Sequence, residues 1–197
     1  MKCVSTFFTT LFVFSTGLWV LPHPVAYAVK TDGTISFAQP PLLVSATTPY
    51  TDTNVWDTTY YFTLELPVNA GEPLQRVTFS QTEGTERIRF DLKHSGAFEG
   101  TRDRRGPKLT LKPPAKSDLA SHRYLPTAVR QTQPVTVTFD PPVLPGKTVT
   151  IGLRTVRNPL YDGVYLFSVT AFPAGEQANG QFLGFGRLQF YTDGNSD

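Results

Sequence analysis

Cysteine and methionine are nearly missing from this chain, with one residue of each, Cys3 and Met1, and histidine occurs three times. The first two belong to a short N-terminal segment that reads as a leader: Lys2, an apolar run from Phe7 to Leu21, then Ala26-Tyr27-Ala28. A basic start, an apolar middle and a small-x-small ending define a secretory signal peptide, with cleavage expected after Ala28 and Val29 as the new N-terminus. The run is interrupted by Pro22 and Pro24 and is shorter than the ~18–20 apolar residues a membrane span needs. Cys3 precedes the apolar run, whereas a lipoprotein cysteine would follow it. Beyond the leader there is no cysteine, which excludes disulfides, thiolate nucleophiles and cysteine-held zinc or iron–sulfur centres. A strong charge of either sign is also missing, since 18 Lys and Arg stand against 16 Asp and Glu. Global charge therefore favours neither nucleic acid nor a strongly anionic partner.

Amphipathic helical periodicity is absent too, and what remains is alternation. Residues 29–191 are long enough for one domain with a sizeable core. Ile35–Phe37 and Leu42–Thr47 read as short edge strands around Pro40-Pro41. Tyr60–Leu66, Gln75–Gln81, Arg87–Leu92, Val135–Asp140 and Thr148–Arg154 each alternate apolar and polar residues, the signature of half-buried strands. Pro145-Gly146 fits a type II turn. Gly163–Phe172 is apolar on both faces and is expected to be a central strand covered on both sides. Phe182–Tyr191 forms the last strand, with Gly184 and Gly186 marking a bulge or a close backbone approach, and residues 192–197 form a disordered polar tail. From Lys93 to Pro134 the alternation fails, which predicts a long irregular loop, with a short element at Leu109–Leu111 and a single helical turn at Ser117–Tyr124. The expected fold is all-β: a single antiparallel β-sandwich, Ig-like in general architecture, of about seven to nine strands.

Chemistry-bearing motifs are sparse. His94 and His122 have no Gly-x-Ser-x-Gly elbow and no His-x-x-x-His spacing, so neither nucleophilic catalysis nor a metal centre has a sequence basis. Glu65, Asp91 and Glu99 are the carboxylates available for glycoside hydrolysis, set against the ordinary role of outward-facing acids as solubilising charges. Glu99–Lys116 is the strongest local charge feature, with Arg102, Arg104, Arg105, Lys108, Lys112 and Lys116 against Glu99 and Asp103. Two readings fit it: a solvated loop, or a contact surface for an acidic polysaccharide or lipid head groups. Arg154, Arg157 and Arg187 form a second candidate group, set against structural pairing with Asp162 or Asp140. Trp56, Tyr60 and Tyr61 are either core or a stacking platform for a sugar ring.

The blocks NAGEPLQRVTF (Asn69–Phe79), RIRFDL (Arg87–Leu92), AFEGTR (Ala97–Arg102), VTVTFDPPVLPGKTVTIGLR (Val135–Arg154), GVYLFSVTAFPAGE (Gly163–Glu176) and GQFLGFGRLQFY (Gly180–Tyr191) together resemble a secreted domain of unknown function common in cyanobacteria. The resemblance runs from about Phe37 to Tyr191. It implies an extracytoplasmic protein of a photosynthetic bacterium and brings no catalytic residues with it. The chain departs from that pattern in the length and basicity of Pro107–Gln133. A weaker likeness, to small periplasmic copper-carrying sandwiches, fails on ligands, because no methionine follows Met1 and no histidine follows His122.

The expected function is a secreted or periplasmic, non-enzymatic binding or structural module of the cell envelope. Its partner is an anionic polysaccharide, lipid head groups or an envelope protein, with no cofactor, metal or nucleic acid. The alternatives are a polysaccharide or cell-wall hydrolase using loop carboxylates and a periplasmic metal carrier.

Overall fold

A computed structural model describes residues 33–113 and 134–192. Nine strands follow in order: β1 (Leu42–Thr47), β2 (Thr59–Glu65), β3 (Leu74–Glu83), β4 (Gly96–Gly100), β5 (Arg105–Leu109), β6 (Val135–Val143), β7 (Thr148–Arg154), β8 (Gly163–Pro173) and β9 (Gln181–Phe190). They make a five-stranded sheet, β1-β2-β7-β4-β5, and a four-stranded sheet, β6-β3-β8-β9, with every pairing antiparallel. The chain is an all-β sandwich, as its alternation predicts.

The two sheets meet on their apolar faces. Tyr60, Phe62 and Leu64 of β2 stand opposite Leu153, Ile151 and Val149 of β7. Val77 and Phe79 of β3, Val137 and Phe139 of β6, Tyr165, Phe167 and Val169 of β8 and Leu188 and Phe190 of β9 complete the same buried cluster. Six aromatic rings interlock in it: Tyr60 with Phe90, Phe167 and Phe190, and Phe62 with Phe79 and Phe167. On one flank Leu111 bridges to Phe139, and the Lys112 N–H donates to the Thr138 carbonyl at 2.8 Å, tying the sheets together. On the other flank β1 lies beside β9. A Cβ on Gly186 would stand 2.6 Å from the Phe62 ring, so the close approach expected there is real. The expected bulge falls at Leu183, between the Val169–Gly184 and Thr170–Phe182 pairs.

Four details differ from the sequence expectations. Ile35–Phe37 makes only an isolated bridge, Ile35 to Ala178. Arg87–Leu92 is not a ladder strand: Phe90 alone bridges to Thr155, and the Ile88 N–H goes instead to the Gln81 side-chain oxygen at 2.9 Å. Alternation there reports which side chains face the core, not sheet pairing. The strand covered on both faces is β7, not β8. The outer residues of β8 are half-exposed, whereas Thr150 and Gly152 of β7 are buried beside their inward neighbours. Two small residues hide this, because neither looks apolar; Thr63 and Thr150 share a hydroxyl hydrogen bond of 3.0 Å, and Thr150 donates to the Gly100 carbonyl at 2.7 Å. Since one hydroxyl has one proton, Thr63 is the donor between them.

Finally, the irregular stretch from Lys93 contains the β4–β5 hairpin, so Arg105 and Lys108 sit on a strand rather than in a loop. Lys116, His122, the helical turn expected at Ser117–Tyr124, the leader and the tail from residue 193 lie outside the described residues. Among the described residues no helix is long and apolar enough to cross a membrane.

Candidate functional site

The outer face of the five-stranded sheet gathers aromatic and guanidinium groups. Tyr61 of β2 lies opposite Gly152 of β7, which in turn lies opposite Gly96 of β4. A Cβ at Gly152 would stand 3.2 Å from the Tyr61 ring, so glycine lets that ring rest on the strand. One row along, Phe98 follows Thr63 and Thr150. The hairpin then turns through Gly100, whose φ of +90° would strain any other residue and whose missing side chain leaves room for the Arg104 carbonyl. That turn brings Arg105 back over the sheet. Its guanidinium stands 5.5 Å from the Tyr61 centroid and 5.0 Å from the Phe98 centroid. It donates to the Tyr61 hydroxyl at 3.2 Å and to the Arg102 carbonyl at 3.4 Å. Arg102 stacks over the same tyrosine at 5.4 Å. Arg104 and Lys108 are exposed on the same hairpin. Asp103 is exposed at its tip, and Glu99 is held by Lys147 at 3.0 Å.

Such a face can bind planar anions. A guanidinium packed on an aromatic ring keeps its charge and holds its fork in one orientation, so less side-chain entropy is lost when it engages a carboxylate or sulfate. Arg105 uses one donor on the Arg102 carbonyl within the hairpin and one on Tyr61 of β2, and among the described residues its remaining N–H groups have no acceptor and can serve a ligand.

The other residues singled out from the sequence fall elsewhere. Lys112 leaves this face and, with Lys93, borders a cleft of about 340 Å³ floored by Leu92, Leu111 and Val137. Arg154, Arg157 and Arg187 do not form a group. Arg154 pairs with Asp57 at 3.4 Å and Arg157 with Glu86 at 2.6 Å, so their partners are neither Asp162 nor Asp140. Arg187 lies on the other sheet and donates to Gln189 at 3.2 Å. Of the three aromatics, Tyr60 is fully buried, Tyr61 belongs to the arginine face, and Trp56 is 65% exposed on the β1–β2 connection. The hydrolytic carboxylates are not gathered: Glu65 stands in register with Thr148 and Glu99 with Val149, on opposite faces of the sheet. Phe98 was not singled out beforehand, because alternation against the charged Glu99 would place it inward, and only the register of Ala97 with the buried Ile151 turns it outward. Among the described residues no group of three or more metal-ligating side chains forms.

Asp91 belongs to the turn that launches β4. Its carboxylate accepts from the Lys93 N–H at 3.1 Å and meets His94 Nδ1 at 2.5 Å. The His94 hydrogen bond, ahead of smaller opposing and supporting effects, holds this carboxyl below its ordinary range. A carboxylate with a depressed folded value contributes stability above its unfolded pKa and loses it as pH falls through the folded one. The turn is therefore expected to loosen in acid, below the ordinary carboxylate range. Amide exchange at Lys93 and His94 should accelerate there in the native protein, and Asp91→Asn should abolish that pH dependence.

The fold and this face define an antiparallel two-sheet β-sandwich that carries an exposed arginine–aromatic surface. The chain belongs to the family described as Protein of unknown function (DUF2808), which matches residues 34–190. Among solved structures it is similar to the collagen-binding domain from a Staphylococcus aureus adhesin, at 9% identity and a TM-score of 0.32 over 70% of this chain and 89% of that one. No curated protein matches it.

Proposed function

We propose that the protein is a non-enzymatic binding module of the bacterial cell envelope, exported by its leader, that takes an acidic polysaccharide on the outer face of the five-stranded sheet. The observation that carries this reading is the Arg105 guanidinium set between Tyr61 and Phe98, with Arg102 stacked on the same tyrosine. Guanidinium groups recognise carboxylate and sulfate, and the rings offer flat apolar surface to the sugar between the charges. A polysaccharide fits better than a bilayer, because none of the exposed large hydrophobic side chains lies on the β4–β5 hairpin. A hairpin without exposed large apolar side chains to insert has only screened charge to hold it on lipid.

Alginate and dextran sulfate, with uncharged dextran as control, test this by calorimetry. Affinity for the two anionic polymers should fall steeply as salt rises, since exposed charges are screened within about 8 Å at physiological ionic strength. Arg102→Ala with Arg105→Ala should weaken binding about ten-fold or more, taking each stacked guanidinium as contributing about 1 kcal/mol. Binding indifferent to both salt and these substitutions contradicts the proposal, and so does equal binding to dextran.

A further inference from the structure

Three segments at one end of the sandwich are woven together by their backbones. Thr53 N–H donates to the Tyr191 carbonyl at 3.0 Å, and Tyr191 N–H donates to Thr51 at 2.9 Å. Asn54 N–H donates to Pro159 at 2.9 Å, Asp57 N–H to Val156 at 3.1 Å and Asn158 N–H to Val55 at 2.7 Å. The β1–β2 connection is thus fixed between the β7–β8 connection and the end of β9. Asn54 and Asp57 hold left-handed backbone angles, φ 58° and 57°, which Asn and Asp adopt more readily than other non-glycine residues.

This end carries a disproportionate share of the exposed large apolar side chains. Tyr50, Trp56, Leu160, Tyr161 and Tyr191 are each about half exposed or more. Such concentration on a rigid surface marks an interaction site. Within these three segments the exposed acids are Asp52, Asp57 and Asp162. Arg154 pairs with Asp57 and Arg157 with Glu86, while the exposed Arg87 and Arg89 lie one segment further out, beyond Val156, whose N–H donates to the Arg89 carbonyl at 3.0 Å. Among the described residues neither Asp52 nor Asp162 has an ion-pair partner.

From this we infer a second binding surface, a rigid aromatic platform centred on Trp56 that takes an uncharged polysaccharide. The apolar C–H face of a pyranose ring packs on indole or phenol, while its hydroxyls donate to carboxylates and exchange hydrogen bonds with tyrosine hydroxyls. Asp52 and Asp162 repel a uronate or a sulfate, so this end selects against the ligands that suit the arginine face. The surface shares no residue with that face.

Trp56 supplies its own readout. In a Trp19→Phe background it is the single tryptophan of the chain, and stacking of a sugar ring changes its emission. Cellohexaose, maltohexaose and chitohexaose are the probes. At least one of them is expected to give a saturable, salt-independent change in fluorescence. Calorimetry in the native background should show that ligand weakened about ten-fold or more by Trp56→Ala, in line with loss of a central tryptophan contact. Trp56→Phe should retain most of the affinity, and Arg102→Ala with Arg105→Ala should leave it unchanged. Because the indole is solvent-exposed, both Trp56 variants should keep the melting temperature of the parent, which separates lost binding from lost fold. No saturable response to any of the three sugars overturns the inference, as does a response to polylysine alone or an affinity unmoved by Trp56→Ala. None of these outcomes bears on binding of alginate at the arginine face.

Discussion

Phe167→Ala is expected to destabilise the protein by about 4 kcal/mol, within the range for truncating a fully buried phenylalanine. Phe167 is 1% exposed at the centre of β8. Its ring meets Tyr60 at 6.2 Å, Phe62 at 5.9 Å and Phe90 at 5.9 Å, each edge to face. Those three rings belong to the five-stranded sheet and to the segment leading into β4, so removing Phe167 opens a void at the junction of both layers. The loss combines transfer free energy, an unfilled cavity and three ring pairs of roughly 0.5–1.5 kcal/mol each, part of which the transfer figure already includes. Phe167→Leu fills more of the space and should cost about half as much. Urea unfolding followed by circular dichroism measures both, and for a domain of this size 4 kcal/mol corresponds to a fall in melting temperature of roughly 8–16 °C. A loss below about 1 kcal/mol for the alanine variant would show that the rings do not share one core.

Asn158→Ala is expected to cost about 3 kcal/mol, nearly as much from a much smaller side chain. Asn158 is fully buried. Its amide nitrogen donates to the Tyr50 carbonyl at 3.1 Å and the Asp52 carbonyl at 2.7 Å, and its oxygen accepts from the Tyr60 hydroxyl at 3.0 Å. Burial, with Tyr165 close by, pushes the Tyr60 phenol far above its ordinary range, which keeps it a donor to Asn158. Alanine takes this partner from the Asp52 carbonyl and the Tyr60 hydroxyl, each loss costing about 1–3 kcal/mol before relaxation, while the Tyr50 carbonyl keeps the Thr48 hydroxyl at 3.1 Å. Tyr60→Phe removes one bond of the three and should cost only about 1–2 kcal/mol. The two losses should not add in the double variant, because Tyr60 and Asn158 share a bond. Amide exchange at Thr53, Asn54 and Asp57 should rise more in Asn158→Ala than in Phe167→Ala, since Asn158 pins the β1–β2 connection. Equal, fully additive losses would mean that the hydrogen bonds do not act as a unit.

Much of the fold was legible because alternation is a local property. Tyr60, Phe62 and Leu64 point inward whatever partner β2 acquires, since side chains alternate along any extended strand. The same logic misleads where facing and pairing part company. Arg87–Leu92 alternates, yet Gln81 takes the backbone donor a ladder needs. It also misleads where coverage comes from a distant hairpin: Thr150 and Gly152 are buried by Tyr61, Phe98 and the Gly100 carbonyl, a contact that sequence spacing does not encode. The basic cluster was visible as charge between Glu99 and Lys116. Its division was not, because Gly100 turns Arg102 and Arg105 back over Tyr61 while Lys112 is carried across to the four-stranded sheet by the bridge from Leu111 to Phe139.

By itself the sequence determined the all-β class, most of the long strands, the single apolar core and the scarcity of catalytic and metal-ligating side chains, since composition and period-two patterning are read one strand at a time. The tertiary structure decided which strands pair, which face of β7 is covered and which cations share an aromatic ring. Those depend on contacts between residues far apart in the chain, such as Arg105 with Tyr61 and Asn158 with Tyr60, and only the closed sandwich brings such residues within a few ångströms.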